Sequence, residues 1–124
     1  SHIKTGTTFL LFLPEGEHHE LGLLYMYYLL KSRGVQTIYL GSNIPLRDVE
    51  YVVRIKKPDI VFIHLTGAGA GFNFEKFLLQ SGQQLAGTPI VISGYPTLHY
   101  KKKLPENICF KKSLSEVTDF ISVL

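Results

Sequence analysis

The chain of 124 residues has no tryptophan, one cysteine and no long uninterrupted apolar run. A single cysteine excludes an internal disulfide framework and a metal site built from several cysteines. No apolar run reaches the roughly 20 residues that a membrane-spanning helix needs. The start of the chain is polar and short, so it does not resemble a secretory signal. Together these absences favour a cytoplasmic protein without a membrane segment.

The chain also has little excess charge of either sign. Thirteen Lys and Arg face ten Asp and Glu, which gives a formal net charge of +3. Five of the cations lie in residues 101–103 and 111–112. Such a cluster can contact phosphate, but no helix with interleaved Arg, Asn or Gln accompanies it, and base readout requires such groups. We therefore interpret the cluster as a solvated loop rather than as a nucleic-acid interface.

What is present suffices for one folded domain. The apolar fraction of 45% excludes a disordered chain. A chain of this length buries roughly 65–70% of its unfolded surface, enough for one core. We interpret residues 1–6 as a tag remnant followed by a tail, in which His2 has no role, and residues 7–124 as a single domain.

Strands and helices alternate along this domain. The predicted strands cover residues 8–13, 36–40, 60–64, 89–93 and 108–110, and the predicted helices cover 19–33, 45–56, 73–85, a short stretch within 95–103, and a last helix from 113. The continuous apolar runs are typical of strands buried on both faces. The pattern predicts an α/β fold, a flavodoxin-like (Rossmann-like) three-layer sandwich around a five-stranded parallel sheet of order 2-1-3-4-5.

Ligands of such folds bind beyond the carboxyl ends of the strands, between the first and third strands. The loop there, residues 15–22, reads EGEHHELG. Glu17 and His19 are close enough in sequence for the carboxylate to fix the imidazole while its other nitrogen coordinates a metal. His64, at the end of the third strand, could complete a zinc site with His18, His19 and a Glu. The alternatives are a solvated loop and a buried His64 bonded to a neighbouring carbonyl.

Other ligand sites of this fold find no support in the loops. The Gly-rich residues 66–71 lack the Gly-Lys-Ser/Thr of a phosphate-binding loop, and Phe72 stands where a dinucleotide loop needs its third glycine. His64 stands where a phospho-receiver needs Asp. Cys109 lies in an apolar strand and is interpreted as a core residue, and no Ser-His-Asp constellation stands out. We therefore predict that the chain is not an enzyme.

The first loop and the second strand resemble the cobalamin-binding domain, a flavodoxin-like module. Its signature, Asp/Glu-x-His-x-x-Gly, is matched by residues 17–22, EHHELG. The longer stretches 14–23 and 39–46 are most similar to the C-terminal effector domain of MerR-like transcriptional regulators, a group that includes cobalamin-dependent light-sensing repressors. The resemblance covers nearly the whole chain.

The resemblance implies a role for each matching residue. His19 would be the lower axial ligand of cobalt in adenosylcobalamin or methylcobalamin. Glu17 would hydrogen-bond the other His19 nitrogen, and Gly22 would let the cofactor approach the first helix. The family's second motif is matched by residues 64–66 and its third, a glycine pair, by residues 93–94. The expected cofactor-binding residues are Glu17, His19, Gly22, His64, Thr66, Gly67, Ser93 and Gly94, with His19 as the metal ligand.

The chain departs from the family pattern at two positions. His64 replaces a serine and Ser93 replaces a glycine, and both changes narrow the groove for the nucleotide tail of cobalamin. The resemblance further implies an excised effector domain, whose full-length protein would contact DNA through an N-terminal domain absent from this chain and could form a homo-oligomer. The alternatives are a cofactor-free regulatory module of the same fold and the cobalamin-carrying domain of a mutase or methyltransferase.

Overall fold

The computed structural model describes residues 6–67 and 71–123. Its elements are β1 (Thr8–Pro14), α1 (Leu21–Ser32), β2 (Gln36–Ile44), α2 (Leu46–Lys56), β3 (Ile60–Leu65), α3 (Phe74–Gln84), β4 (Ile90–Gly94), a 3-10 helix (Tyr95–Leu98), β5 (Ile108–Lys111) and α4 (Leu114–Ser122). Residues 1–5 of the predicted tag remnant and tail (1–6), and residues 68–70 of the predicted Gly-rich loop, lie outside the described residues. Within the described ranges, no helix is long and apolar enough to cross a membrane.

β1 lies at the centre of the sheet. Every residue from Phe9 to Leu13 is at most 1% exposed, since β2 pairs with one edge of β1 and β3 with the other. All neighbouring strands are parallel, and their order is β2-β1-β3-β4-β5. The predicted flavodoxin-like fold and the strand order 2-1-3-4-5 are therefore confirmed.

Helices cover both faces of the sheet. Phe9 of β1 contacts Phe120 of α4, with ring centroids 6.2 Å apart. Phe12 points to the opposite face, as the two-residue period of a strand requires, and contacts Phe77 of α3 at 6.4 Å. α1 lies beside α4 on the first face, and α2 packs against α3 on the second. The core is thus divided into two apolar layers on either side of the strands.

Three local predictions differ from the structure. β2 continues to Ile44 rather than ending at residue 40, because Gly41 and Asn43 adopt positive φ angles of 92° and 59° and let the strand bulge while it stays paired with β1. The helix expected within residues 95–103 is only the 3-10 helix. Cys109 is exposed, so its interpretation as a core residue was wrong; β5 is an edge strand, and alternation buries Ile108 instead.

The start of α4 is fixed by side-chain caps. The Ser113 hydroxyl accepts a hydrogen bond from the backbone N–H of Glu116 at 3.1 Å, which is the first bond of a capping box. The Glu116 carboxylate accepts from the N–H of Lys112 at 2.8 Å, one residue before the N–H that this motif ordinarily uses. Two backbone donors at the helix start are therefore satisfied by side chains.

Replacing Ser113 with Ala is expected to lower the free energy of unfolding by about 1 kcal/mol, because the hydroxyl that caps α4 is lost. The control Ser115→Ala makes the same chemical change in the exposed first turn but leaves the cap in place, so its effect should stay within about 0.5 kcal/mol. Urea unfolding followed by circular dichroism measures both values. Equal losses in the two variants would contradict the capping role.

Candidate functional site

Residues 15–20 connect β1 to α1 and are called here the histidine loop. The loop is tied to the end of β2 at three points. The backbone N–H of Gly16 donates to the Asn43 side-chain oxygen at 3.1 Å, and the N–H of Asn43 donates to the carbonyl oxygen of Glu17 at 3.1 Å. The Tyr39 hydroxyl donates to the Glu20 carboxylate at 2.7 Å. The loop is therefore held in a defined position at the carboxyl edge of the sheet.

Asn43, which makes two of the three tethers, lies in the bulged end of β2. Asn43 adopts a left-handed conformation with φ of 59°, which its short polar side chain tolerates better than most, and this conformation lets one residue bond the loop through both backbone and side chain. The Tyr39–Glu20 bond and a Ser42 bond lower the pKa of the Glu20 carboxyl. In the sequence, residues 39–46 resemble the MerR-like effector domain, but the resemblance assigned no role to Tyr39 or Asn43.

Glu17 is the unusual residue of the histidine loop. Its side chain is only 2% exposed, and its Oε1 atom has no hydrogen-bond partner in the described structure. Burial raises the pKa of this carboxyl, while the nearby imidazoles of His19 and His18 lower it. Because a buried carboxylate without a partner is unfavourable, this oxygen has the capacity to accept a hydrogen bond from an incoming or rearranged donor.

The two imidazoles of the loop are exposed. Among residues 6–67 and 71–123, no group of three or more His, Cys, Asp or Glu side chains is arranged to hold a metal ion. The alternative of a zinc site made by His18, His19, His64 and a Glu is therefore wrong. What the loop offers is two exposed imidazoles, and one imidazole is enough for a metal whose other ligands come from elsewhere.

His64 lies on the other side of the site, at the end of β3. Its ring packs directly on Gly22 of α1: a Cβ atom at that glycine would lie 2.7 Å from His64 Nε2. The Nδ1 atom of His64 shares a hydrogen bond with the Ser93 hydroxyl at 2.7 Å, because the parallel register places the two residues side by side on β3 and β4. Burial lowers the pKa of His64, so the ring is neutral at pH 7.

Gly94 follows Ser93 at the end of β4 and lies next to this pair. Its φ is 112°, and a Cβ atom there would overlap the carbonyl oxygen of Leu65, so the chain requires glycine at this point. The Thr97 hydroxyl donates to the carbonyl oxygen of Gly94 at 2.7 Å. The space left between α1, β3, β4 and α4 is a cavity of about 110 Å³. A separate cleft of about 330 Å³ lies between the start of the histidine loop, the end of β2 and α3.

The structure thus brings the predicted site residues together in two groups. Glu17 and His19 share the histidine loop, and four residues surround the small cavity or its wall: Gly22, His64, Ser93 and Gly94. Thr66 is exposed, and Gly67 faces open space. Neither of these two residues packs against the groups described above.

Comparison with known proteins begins with a negative result, since no family model matches this chain. The HTH-type transcriptional repressor CarA of Myxococcus xanthus is 29% identical over 104 residues, which cover 84% of this chain and 36% of the repressor. The chain therefore spans about a third of the length of that curated relative.

Two solved structures share the fold at low identity. A cobalamin-binding protein from Desulfitobacterium hafniense superimposes with a TM-score of 0.70 at 15% identity, over 95% of this chain and 57% of that one. The methanol:cobalamin methyltransferase complex MtaBC from Methanosarcina barkeri gives a TM-score of 0.69 at 18% identity, over 100% of this chain and 50% of the other. The resemblance seen in the sequence is therefore confirmed for the fold.

Replacing Glu17 with Gln is expected to raise the free energy of unfolding by about 1 kcal/mol at pH 7, because burial disfavours the ionised form of this carboxyl, whose Oε1 atom has no partner. Glu15→Gln is the matched control, since Glu15 lies on the same loop but is exposed, and it should change stability little. Thermal and urea unfolding measure both variants. A Glu17→Gln variant less stable than the wild type would contradict this account of Glu17.

His64 gives the stability of the fold a pH dependence. Because its pKa is below the ordinary value of 6.5, the unfolded chain binds this proton more readily than the folded protein. The contribution of neutral His64 to the free energy of unfolding is complete above pH 6.5 and is lost as the pH falls toward the lowered pKa, with a slope of at most about 1.4 kcal/mol per pH unit.

Urea unfolding across about pH 5–8 should show that the free energy of unfolding declines less steeply with falling pH for His64→Ser than for the wild type. His99→Ser, which changes an exposed histidine, should keep the wild-type slope; an unchanged slope in His64→Ser would contradict the prediction.

Proposed function

We propose that this chain is a corrinoid-binding effector domain in which His19 binds cobalt from the lower side and Glu17 positions His19. The observation that carries the proposal is the buried Glu17 oxygen without a partner, on a loop that also presents an exposed imidazole two residues away. A cobalamin-binding protein and a methanol:cobalamin methyltransferase complex share the fold, which supports the corrinoid part of the proposal.

Glu17 and His19 complement each other chemically. A buried carboxylate that accepts the N–H of an imidazole gains the hydrogen bond it lacks and fixes the ring in one tautomer. The other ring nitrogen is then unprotonated and free to bind a metal. His19 rather than His18 occupies the register Glu-x-His-x-x-Gly that ends at Gly22, so His19 is the proposed ligand.

The residues present fit one part of the cofactor and not another. The histidine loop fits a cobalt corrinoid, because the macrocycle supplies the other metal ligands and needs only one imidazole from the protein. When bound, the group would supply a cobalt ion that can take a ligand from the protein. The slot beside Gly22, where the family resemblance would bring the nucleotide tail or the corrin close to α1, is filled by His64, so the residues there do not fit a tail.

The repressor relative favours a regulatory role over a catalytic one. We propose that the chain is the sensory part of a MerR-like regulator that acts in the cytoplasm and contacts DNA through a region outside this chain. The corrinoid would then be the signal that the domain receives, in the adenosyl or methyl form. A corrinoid-carrying domain of a methyltransferase is the second candidate, favoured by the similarity to the methyltransferase complex.

Absorption spectroscopy with aquocobinamide, a corrinoid without a nucleotide tail, tests the ligand assignment. The wild type and His18→Ala should shift the visible corrin bands as an imidazole binds cobalt, whereas His19→Ala should leave the spectrum of the free corrinoid. His18→Ala is the matched control, because it makes the same change one residue away. A shift that depends on His18 instead of His19 would refute the assignment.

A further inference from the structure

We propose that His64 and Ser93 form a closed plug in the slot beside Gly22, so that this domain selects corrinoids without a nucleotide tail over cobalamin. The inference rests on the proposed corrinoid binding and adds the class of ligand. It makes His64 a specificity-determining residue rather than a ligand of the metal.

The plug begins with the contact between His64 and Gly22. Glycine at position 22 leaves open the volume that a side chain on α1 would occupy. The imidazole of His64 takes up this volume, since a Cβ atom at Gly22 would come within 2.7 Å of its Nε2 atom. The space that the glycine provides is therefore filled by the protein itself.

Ser93 holds the ring in that position. The hydrogen bond between His64 Nδ1 and Ser93 Oγ is 2.7 Å long, and Ser93 is only 2% exposed. If the ring swung out to admit a ligand, the buried hydroxyl would lose its partner, which is unfavourable. His64 and Ser93, the two departures from the family pattern, therefore obstruct the slot together, because they are joined by this hydrogen bond.

The surroundings of the plug cannot widen easily. Gly94 leaves no space for a side chain next to β3, since a Cβ atom there would overlap the carbonyl oxygen of Leu65, and the Thr97 hydroxyl holds the carbonyl oxygen of Gly94. The remaining cavity of about 110 Å³ is well below the roughly 300 Å³ at which small-molecule pockets begin. A nucleotide tail with its ribose, phosphate and base is too large for this space.

The plug sets a condition on the lower ligand. A corrinoid with a nucleotide tail would bind His19 only after the base of that tail had left cobalt. The base and its tail would then have to lie elsewhere. With the slot closed, a corrinoid without a tail meets no such conflict. A tailed corrinoid must either displace His64 or leave its tail in solvent.

Titration with two corrinoids, followed by absorbance and calorimetry, tests the inference. We expect the wild type to bind aquocobinamide at least about tenfold more tightly than hydroxocobalamin. The double variant His64→Ser with Ser93→Gly should tighten hydroxocobalamin binding by at least about tenfold, the usual scale for relief of an overpacked site, while aquocobinamide binding stays within about twofold.

Two further variants support this experiment. His99→Ser is the control for the loss of a histidine elsewhere in the chain. His64→Asn, which keeps a polar partner for Ser93, replaces the double variant if the double variant does not fold.

The outcomes separate the plug from corrinoid binding itself. If the wild type binds both corrinoids equally and the double variant changes neither, the plug is wrong and the proposed function stands. If no folded variant binds either corrinoid, the proposed function is wrong and the selectivity falls with it. If only the opened variant binds hydroxocobalamin, the plug is supported.

Discussion

The complete burial of β1 is the constraint on which the candidate site depends. A strand that is apolar on both faces and paired at both edges must lie inside the sheet, so the loop that follows it emerges between two neighbouring strand ends. β2 holds that loop through Asn43 and Tyr39, and β3 brings His64 to the other side. At an edge strand, the same histidine loop would be an ordinary surface turn.

The two halves of the site are in opposite chemical states. The histidine loop is rigidly tied to β2 and yet contains Glu17, a buried group with an unused acceptor atom. The slot beside Gly22 contains the His64–Ser93 pair, in which each polar side chain has its partner. Energetically unfavourable groups are often found at sites that bind a ligand or catalyse a reaction. Polar side chains that are hydrogen-bonded to each other are typical of regions with a structural role. The contrast supports the proposal that the loop binds the ligand and that the slot is closed.

The fold and the site were not equally predictable from the sequence. Five strand segments alternating with helical segments predict the topology, and the consecutive apolar residues of β1, β3 and β4 predict that these three strands are buried on both faces. The tethers of the loop were missed because Asn43 and Tyr39 reach it across 27 and 19 residues of sequence, and Asn43 does so from the bulged end of β2. The narrowing of the slot by His64 and Ser93 was expected, but their bond needed the register of β3 against β4. Cys109 was misplaced because a short apolar strand does not reveal that it lies at an edge.

Because Cys109 is exposed, its thiol can be used to attach the protein to a dye or to a surface. It is the one cysteine of the chain, and it lies on β5, which β3 and β4 separate from β1 and the histidine loop. A maleimide dye or a surface linker would therefore react at one defined position and leave the candidate site facing solution. The same exposed thiol can oxidise to join two copies of the chain, so a reducing agent or Cys109→Ser belongs in any measurement of the size of the protein in solution.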